Sequence, residues 1–292
     1  MKKLIIILGP TAVGKTDFSI ETAIKYGSPI ISCDSRQIYK EMRIGTAVPD
    51  ADQLAKVEHH FIQSHSIHNL YTAGKYEIEA LELINKLFNE GHETLVMAGG
   101  SGFYIDALCN GLDDIPDADL ELRKNLTERL KAEGIAALSE ELKALDPESY
   151  SQIDLSNGQR IIRALEVCLL TGRKFSSFKL DKPRNRDFTI EKIGLTRPRE
   201  ILYNRINARV LNMIEEGLVE EVRSLKEHRD RTALKTVGYK EIFDYLDGTT
   251  SLERAIELIQ RNTRHYAKRQ LTYWNRDKEI KWLDLENETE LA

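Results

Sequence analysis

Gly9-Pro10-Thr11-Ala12-Val13-Gly14-Lys15-Thr16 satisfies the pattern GxxxxGK[ST] at every fixed position, directly after an apolar run and directly before a helical segment. Such residues at such spacing hold a polyphosphate. The glycines let backbone N–H groups turn inward, the helix N-terminus adds its positive dipole end, Lys15 supplies a point charge and the Thr16 hydroxyl can bind Mg²⁺. The motif identifies a di- or triphosphate and leaves the reaction open between kinase, NTPase and pyrophosphate-releasing transferase. Asp34 ends the next short apolar run, where a carboxylate can hold Mg²⁺ through water or act as a base on a nucleophile.

The elements that must position these groups alternate. Leu4–Leu8 reads as a buried parallel strand, Lys15–Tyr26 as a helix, Pro29–Asp34 as a second strand, Lys75–Glu90 as a helix and Glu93–Ala98 as a third strand ending on Gly99-Gly100. This alternation predicts an α/β fold, a parallel sheet with helices on both faces. After about Gly111 the pattern changes to helical periodicity alone, over Leu120–Glu133, Ile135–Leu145 and Gln159–Leu170. We expect a core of residues 1–112 and 187–292 with a helical insertion over 113–186, and a linker at Lys182–Asp187. Thr189–Leu195 reads as a returning strand, Arg199–Glu227 as one long helix and Glu279–Leu285 as a last strand.

Composition narrows the class. The 292 residues are 41 % hydrophobic and 30 % charged, ordinary for a globular protein, and no apolar run approaches the ~18 residues of a membrane span. Cys33, Cys109 and Cys168 are odd in number and far apart, which points away from a disulfide framework and toward a reducing compartment. Four of the seven His lie at 59, 60, 65 and 68 without metal-site spacing, so a zinc site is not expected. The net charge of −5 hides a local excess: Ile259–Arg276 carries Arg261, Arg264, Lys268, Arg269 and Arg276, no acidic residue, and Tyr266, Tyr273 and Trp274 between them. Basic residues interleaved with aromatics suit a nucleic-acid backbone and its bases, and a merely solvated basic helix face is the alternative.

Several blocks together resemble the tRNA dimethylallyltransferases, also called isopentenylpyrophosphate transferases. They are Gly9–Thr16; Asp34-Ser35-Arg36-Gln37-Ile38-Tyr39 with Ile44–Ala47; Gly99–Tyr104; Gln159–Glu166; Val237-Gly238-Tyr239; and Lys268–Thr272. The resemblance spans essentially the whole chain. It implies a phosphate-loop sheet fold and transfer of a dimethylallyl group from its diphosphate to N6 of adenosine 37, beside the tRNA anticodon, with release of pyrophosphate. On this reading Asp34 is the base, Lys15, Thr16 and Arg209 stabilise the leaving diphosphate, residues 9–16 bind it and Mg²⁺ sits at Thr16. The resemblance also assigns tRNA contacts to Asp34, Ser35, Arg36, Gln37, Ser101, Arg123, Gln159, Arg160, Ile161, Ile162, Arg163, Val237, Gly238, Tyr239, Lys268, Arg269 and Gln270. Ser101 stands where the family usually has Thr.

A monomeric, bacterial, cytoplasmic enzyme acting on the tRNA anticodon stem-loop, with no membrane partner, is the expectation. A P-loop small-molecule kinase with a helical lid and an adenylate prenyltransferase are the competing functions. Lys268→Ala with Arg269→Ala should weaken tRNA binding and flatten the slope of log affinity against log salt by roughly one to two. Filter binding over a salt series measures both; an unchanged slope removes this segment from the interface.

Overall fold

The computed structural model describes residues 2–113, 115–116, 118–178 and 184–286. The elements in chain order are β1 (Lys3–Leu8), α1 (Lys15–Tyr26), β2 (Ile30–Ser32), α2 (Ala51–Lys56), β3 (His59–His60), α3 (Ala73–Asn89), β4 (Thr94–Gly99) and α4 (Gly102–Asn110). The helices α5 (Leu120–Glu133), α6 (Ile135–Leu145), α7 (Pro147–Gln152) and α8 (Gly158–Thr171) follow, then β5 (Thr189–Thr196), α9 (Arg199–Glu215), α10 (Leu218–Ser224), α11 (Tyr239–Leu246), α12 (Leu252–Trp274) and β6 (Lys281–Asp284). The six strands form one parallel sheet in the order β3-β2-β4-β1-β5-β6.

A strand inside such a sheet is buried on both faces, which is why β1 is apolar without alternation. Leu4, Ile6 and Leu8 join one core cluster with Tyr76, Met97 and Tyr239, while Ile5 and Ile7 join the cluster on the other face with Phe18, Val96 and Ile206. Each such side chain contributes roughly 1.5–3 kcal/mol on burial, so the centre of the sheet is the rigid part of the fold. The described chain divides into two compact units, one of residues 1–109 and 185–292, the other of 110–184. The second unit has its own core of Leu126, Leu138, Leu142, Ile161, Ile162, Ala164 and Leu165.

One sequence expectation, the long helix Arg199–Glu227, is corrected. The long helix stops at Glu215, because Gly217 takes φ +100°, a left-handed conformation that ends a helix and that glycine adopts without steric cost; α10 then starts afresh. The short helices α2, α4, α7 and α11 and the two-residue edge strand β3 carry too little periodicity to be read from sequence. In the expected linker, Lys182 and Pro183 lie outside the described residues, while Arg186 belongs to the sheet unit. Its guanidinium donates to the carbonyls of Ala107 and Leu108 at 3.0 and 2.7 Å and to Glu77 at 2.8 Å. This pair is nearly out of water, with side chains 10 % and 8 % exposed.

Glu77→Ala should therefore leave a buried guanidinium unpaired and cost about 3 kcal/mol or more of stability. Denaturant unfolding measures the loss; a change under ~1 kcal/mol would mean that water reaches Arg186 readily.

Candidate active site

The parallel register sets the carboxyl ends of β1, β4 and β2 side by side, with Leu8 opposite Gly99 and Ser32 opposite Ala98. From those ends come the phosphate loop, the Asp34 segment and Gly99-Gly100-Ser101, the place where open α/β sheets bind ligands. They line a cavity of about 920 Å³ with Lys15, Thr16, Asp34, Gln37, Arg205, Arg209, Tyr266 and Gln270.

The loop is held both from within and by partners from distant parts of the chain. Lys15 Nζ donates to the carbonyls of Gly9 and Pro10 at 2.9 and 2.8 Å. Arg197 Nε donates to Val13 O at 2.7 Å and Arg205 Nε to Ala12 O at 2.8 Å. Ala12 is non-glycine at φ +64°, a conformation that costs of order 1 kcal/mol and that these bonds help sustain. From α12, the Gln270 amide accepts from Thr11 N at 3.0 Å and donates to Gly100 O at 2.8 Å, joining the loops after β1 and β4. Arg209 reaches Thr11 Oγ1 at 3.4 Å.

Asp34 caps its own turn. Its Oδ1 accepts from the backbone N–H groups of Arg36 and Gln37 at 2.8 and 3.2 Å, which orients the carboxylate and leaves Oδ2 without a hydrogen bond among the described residues. Ser101 Oγ accepts from Ser35 N at 2.8 Å and donates to Ser35 Oγ at 3.0 Å, tying this turn to the end of β4. Gln37 Nε2 donates to the carbonyls of Thr46 and Ala47 at 3.1 and 2.8 Å, so the group it has left to offer a ligand is Oε1, an acceptor.

The electrostatics favour an anion. Burial drives the Lys15 pKa down to about 8; Asp34 opposes that shift and Arg209 adds to it. Burial likewise pulls Arg209 below its ordinary value, against the pull of Asp34. Burial disfavours both cations, Asp34 offsets part of that cost for each and Glu216 does so for Arg209, and an anion bound beside them would offset more. For a cation, the cavity lining offers the Thr16 hydroxyl and the carboxylates of Asp34, Asp17, Asp50 and Glu216, which do not gather: no metal-holding cluster of three or more His, Cys, Asp or Glu forms among the described residues. That sparse oxygen set fits Mg²⁺, which keeps several waters and takes phosphate oxygens as ligands.

Other expected contacts are placed differently. Tyr239 is fully buried and Gly238 is buried with it, so neither presents a surface to RNA; Val237, beside them, is half-buried. The Tyr239 hydroxyl donates to Glu221 at 2.6 Å, and the block is an internal anchor. Trp274 is 3 % exposed and sits in the core, and Tyr273 is half-buried with its hydroxyl on Asp106, which leaves Tyr266 as the exposed aromatic of that segment. Of the basic residues there, Arg261, Lys268 and Arg269 are exposed, whereas Arg264 donates to Asn207 Oδ1 at 2.5 Å. Gln270 is 7 % exposed and serves the phosphate loop.

In the helical unit, Ile161 and Ile162 are 0 % and 1 % exposed, so direct contact with RNA is closed to them and their part is to hold α8. Arg123 and Arg163 both donate to Oε2 of the buried Glu166, at 2.5 and 2.9 Å. Gln159 and Arg160, on the first turn of α8, are exposed. Sequence reasoning passed over Arg197 and Arg205. Both had a signal: Arg197 follows an apolar strand as Asp34 does, and Arg205 precedes Arg209 by four residues, on the same helix face.

A model of the family described as IPP transferase matches residues 37–277. The chain belongs to that family. Among its relatives, tRNA dimethylallyltransferase 1 of Bacteroides thetaiotaomicron is 48 % identical, covering 100 % of this chain and 94 % of the relative. The tRNA dimethylallyltransferase of Christiangramia forsetii is 51 % identical, covering 97 % and 93 %. The solved tRNA isopentenylpyrophosphate transferase of Bacillus halodurans superposes with TM-score 0.70 at 38 % identity, over 97 % of this chain and 90 % of that one. A eukaryotic dimethylallyltransferase solved acting on tRNA gives TM-score 0.80 at 26 % identity, over 97 % and 74 %. The family's fold is therefore the parallel sheet described above.

Gln270→Ala should strand Thr11 N and Gly100 O and weaken binding of inorganic pyrophosphate about tenfold. Calorimetric titration measures this; an unchanged Kd would show that the loop keeps its shape without α12.

Proposed function

We propose that this chain is a tRNA dimethylallyltransferase, moving the prenyl group of dimethylallyl diphosphate onto N6 of adenosine 37 and releasing pyrophosphate. The observation that carries the reading is the cavity itself, in which a phosphate loop, the half-buried cations Lys15 and Arg209 and the oriented carboxylate of Asp34 face one space. Family membership and the names of the full-length relatives support the same substrates.

On this reading the diphosphate lies along the loop amides, with Lys15 and Arg209 on its oxygens. N6 of adenosine attacks C1 of the dimethylallyl group, the C1–O bond breaks, and its electron pair leaves with pyrophosphate. An exocyclic adenine amine is a weak nucleophile because its lone pair is delocalised into the ring, so Oδ2 of Asp34 takes its proton as the new bond forms. Charge grows on the leaving group where the cations already stand, and such preorganisation lowers the barrier without rearrangement. Mg²⁺, which the Thr16 hydroxyl would hold, would supply further charge to the diphosphate oxygens. Gln37 Oε1 faces the substrate as an acceptor and suits the amino group of adenine rather than the carbonyl of guanine. The target base must leave its stack to enter, at a cost of a few kcal/mol.

In the same reading Arg36, Lys268 and Arg269 in the sheet unit, and Gln159 and Arg160 in the helical unit, are the side chains offered to tRNA. A P-loop kinase would transfer a γ-phosphate instead, and an adenylate prenyltransferase would accept free AMP. The test is a transfer assay with labelled dimethylallyl diphosphate, Mg²⁺ and either unmodified tRNA or AMP, for wild type and Asp34→Ala. Wild type should label adenosine N6 of tRNA and leave AMP unlabelled, and the variant should turn over at least ~10²-fold more slowly with tRNA affinity nearly intact. Normal turnover with lost tRNA binding would make Asp34 a recognition residue.

A further inference from the structure

Glu221 lies on α10, outside the cavity lining and outside every motif considered above, yet its carboxylate has four donors. Oε2 accepts from the backbone N–H groups of Arg43 and Ile44 at 2.9 and 2.7 Å. Oε1 accepts from Gly45 N at 3.0 Å and from the Tyr239 hydroxyl at 2.6 Å. Three successive N–H groups converge on one anion only when the backbone is curled around it, and charge-assisted bonds of this kind are stronger than neutral ones. Gly45 fits because the Tyr239 ring lies against it, where a Cβ would stand 2.5 Å from a ring carbon.

The curl continues as a closed turn. Ala47 N donates to Ile44 O at 2.9 Å and Val48 N to Arg43 O at 3.1 Å. Ala47 is left at φ +50°, a conformation an alanine keeps only when its surroundings impose it. What this strain presents is one carbonyl. Ala47 O receives Gln37 Nε2 from one side at 2.8 Å and Arg209 Nη2 from the other at 3.5 Å.

The geometry points to Glu221 as a positioning residue that, through the Ala47 carbonyl, fixes which face the Gln37 amide turns to the substrate. The inference rests on the proposed function and deepens it. With the 43–47 turn held, the amide N–H groups of Gln37 are consumed and its oxygen faces adenine. With the turn released, the amide rotates freely and offers a donor as readily as an acceptor, which discards the preference for an amino group.

A double-mutant cycle decides it, with single-turnover transfer from dimethylallyl diphosphate to unmodified tRNA by the full chain as Glu221→Gln, Gln37→Ala and the double variant. Glu221→Gln replaces one acceptor by an amide donor facing a backbone N–H. Each single variant should lose about tenfold in kcat/KM, and the double should fall no more than about threefold below the worse single, since both break one linkage. A loss in the double equal to the product of the two singles overturns the inference. Because removing a carboxylate with four donors can impair folding, Tyr239→Phe, which deletes one donor and keeps the ring over Gly45, runs through the same cycle with the same criterion. Wild type serves as the separate control: if it transfers nothing, the proposed function falls and the inference with it, whereas transfer by wild type with multiplicative losses removes the inference alone.

Discussion

Leu8 stands opposite Gly99 and Ser32 opposite Ala98, so three neighbouring strands of a parallel sheet finish level with one another. That registration places Gly9, Asp34 and Gly100 at one edge without any contact among them being needed to bring them there. A one-residue slip of β2 would turn Ser32, Cys33 and Asp34 to the opposite sides and remove the carboxylate from the cavity. The apolar residues of β1, buried on both faces, make such a slip expensive, so the chemistry is tied to the hydrophobic core directly.

Residues far along the chain then complete the edge. Gln270 joins the loops after β1 and β4, Arg197 and Arg205 hold carbonyls of the phosphate loop, and Arg209 stands between that loop and the 43–47 turn. Lys15 and Arg209, two of the cations that line the cavity, are held against the cost of burial, and Asp34 offsets part of it. Strain is confined to Ala12 and Ala47 on this edge and to Phe61 and Gln63 in the loop after β3, among the described non-glycine residues with positive φ. The first two line the cavity, as expected where the backbone must aim its polar groups.

The sequence is most legible where local chemistry and local conformation coincide. Gly9–Thr16 needs its residue types at fixed spacing to curl around phosphate, and the parallel strands announce themselves by unbroken apolar runs. Legibility fails where a residue's role depends on what lies across the fold. Ile161, Ile162, Tyr239 and Trp274 sit inside motifs or basic segments, but only packing reveals that they are interior. Glu221 shows the converse: one of two adjacent acids at the start of a short helix, it reads as a helix-terminus charge until three backbone N–H groups 176–178 residues away are seen to meet it. The break at Gly217 was open to reading, since a glycine after a helical stretch is a common stop, yet the apolar periodicity beyond it masked the signal.

The central claim is that the phosphate loop holds a leaving group rather than a phosphate to be transferred. Counting both products of one turnover tests it most directly, with pyrophosphate and N6-modified adenosine quantified from the same quenched reaction of enzyme, dimethylallyl diphosphate, Mg²⁺ and unmodified tRNA. The account predicts one pyrophosphate for each modified adenosine and no orthophosphate. Orthophosphate released in step with the reaction, or pyrophosphate released without modified adenosine, would contradict it.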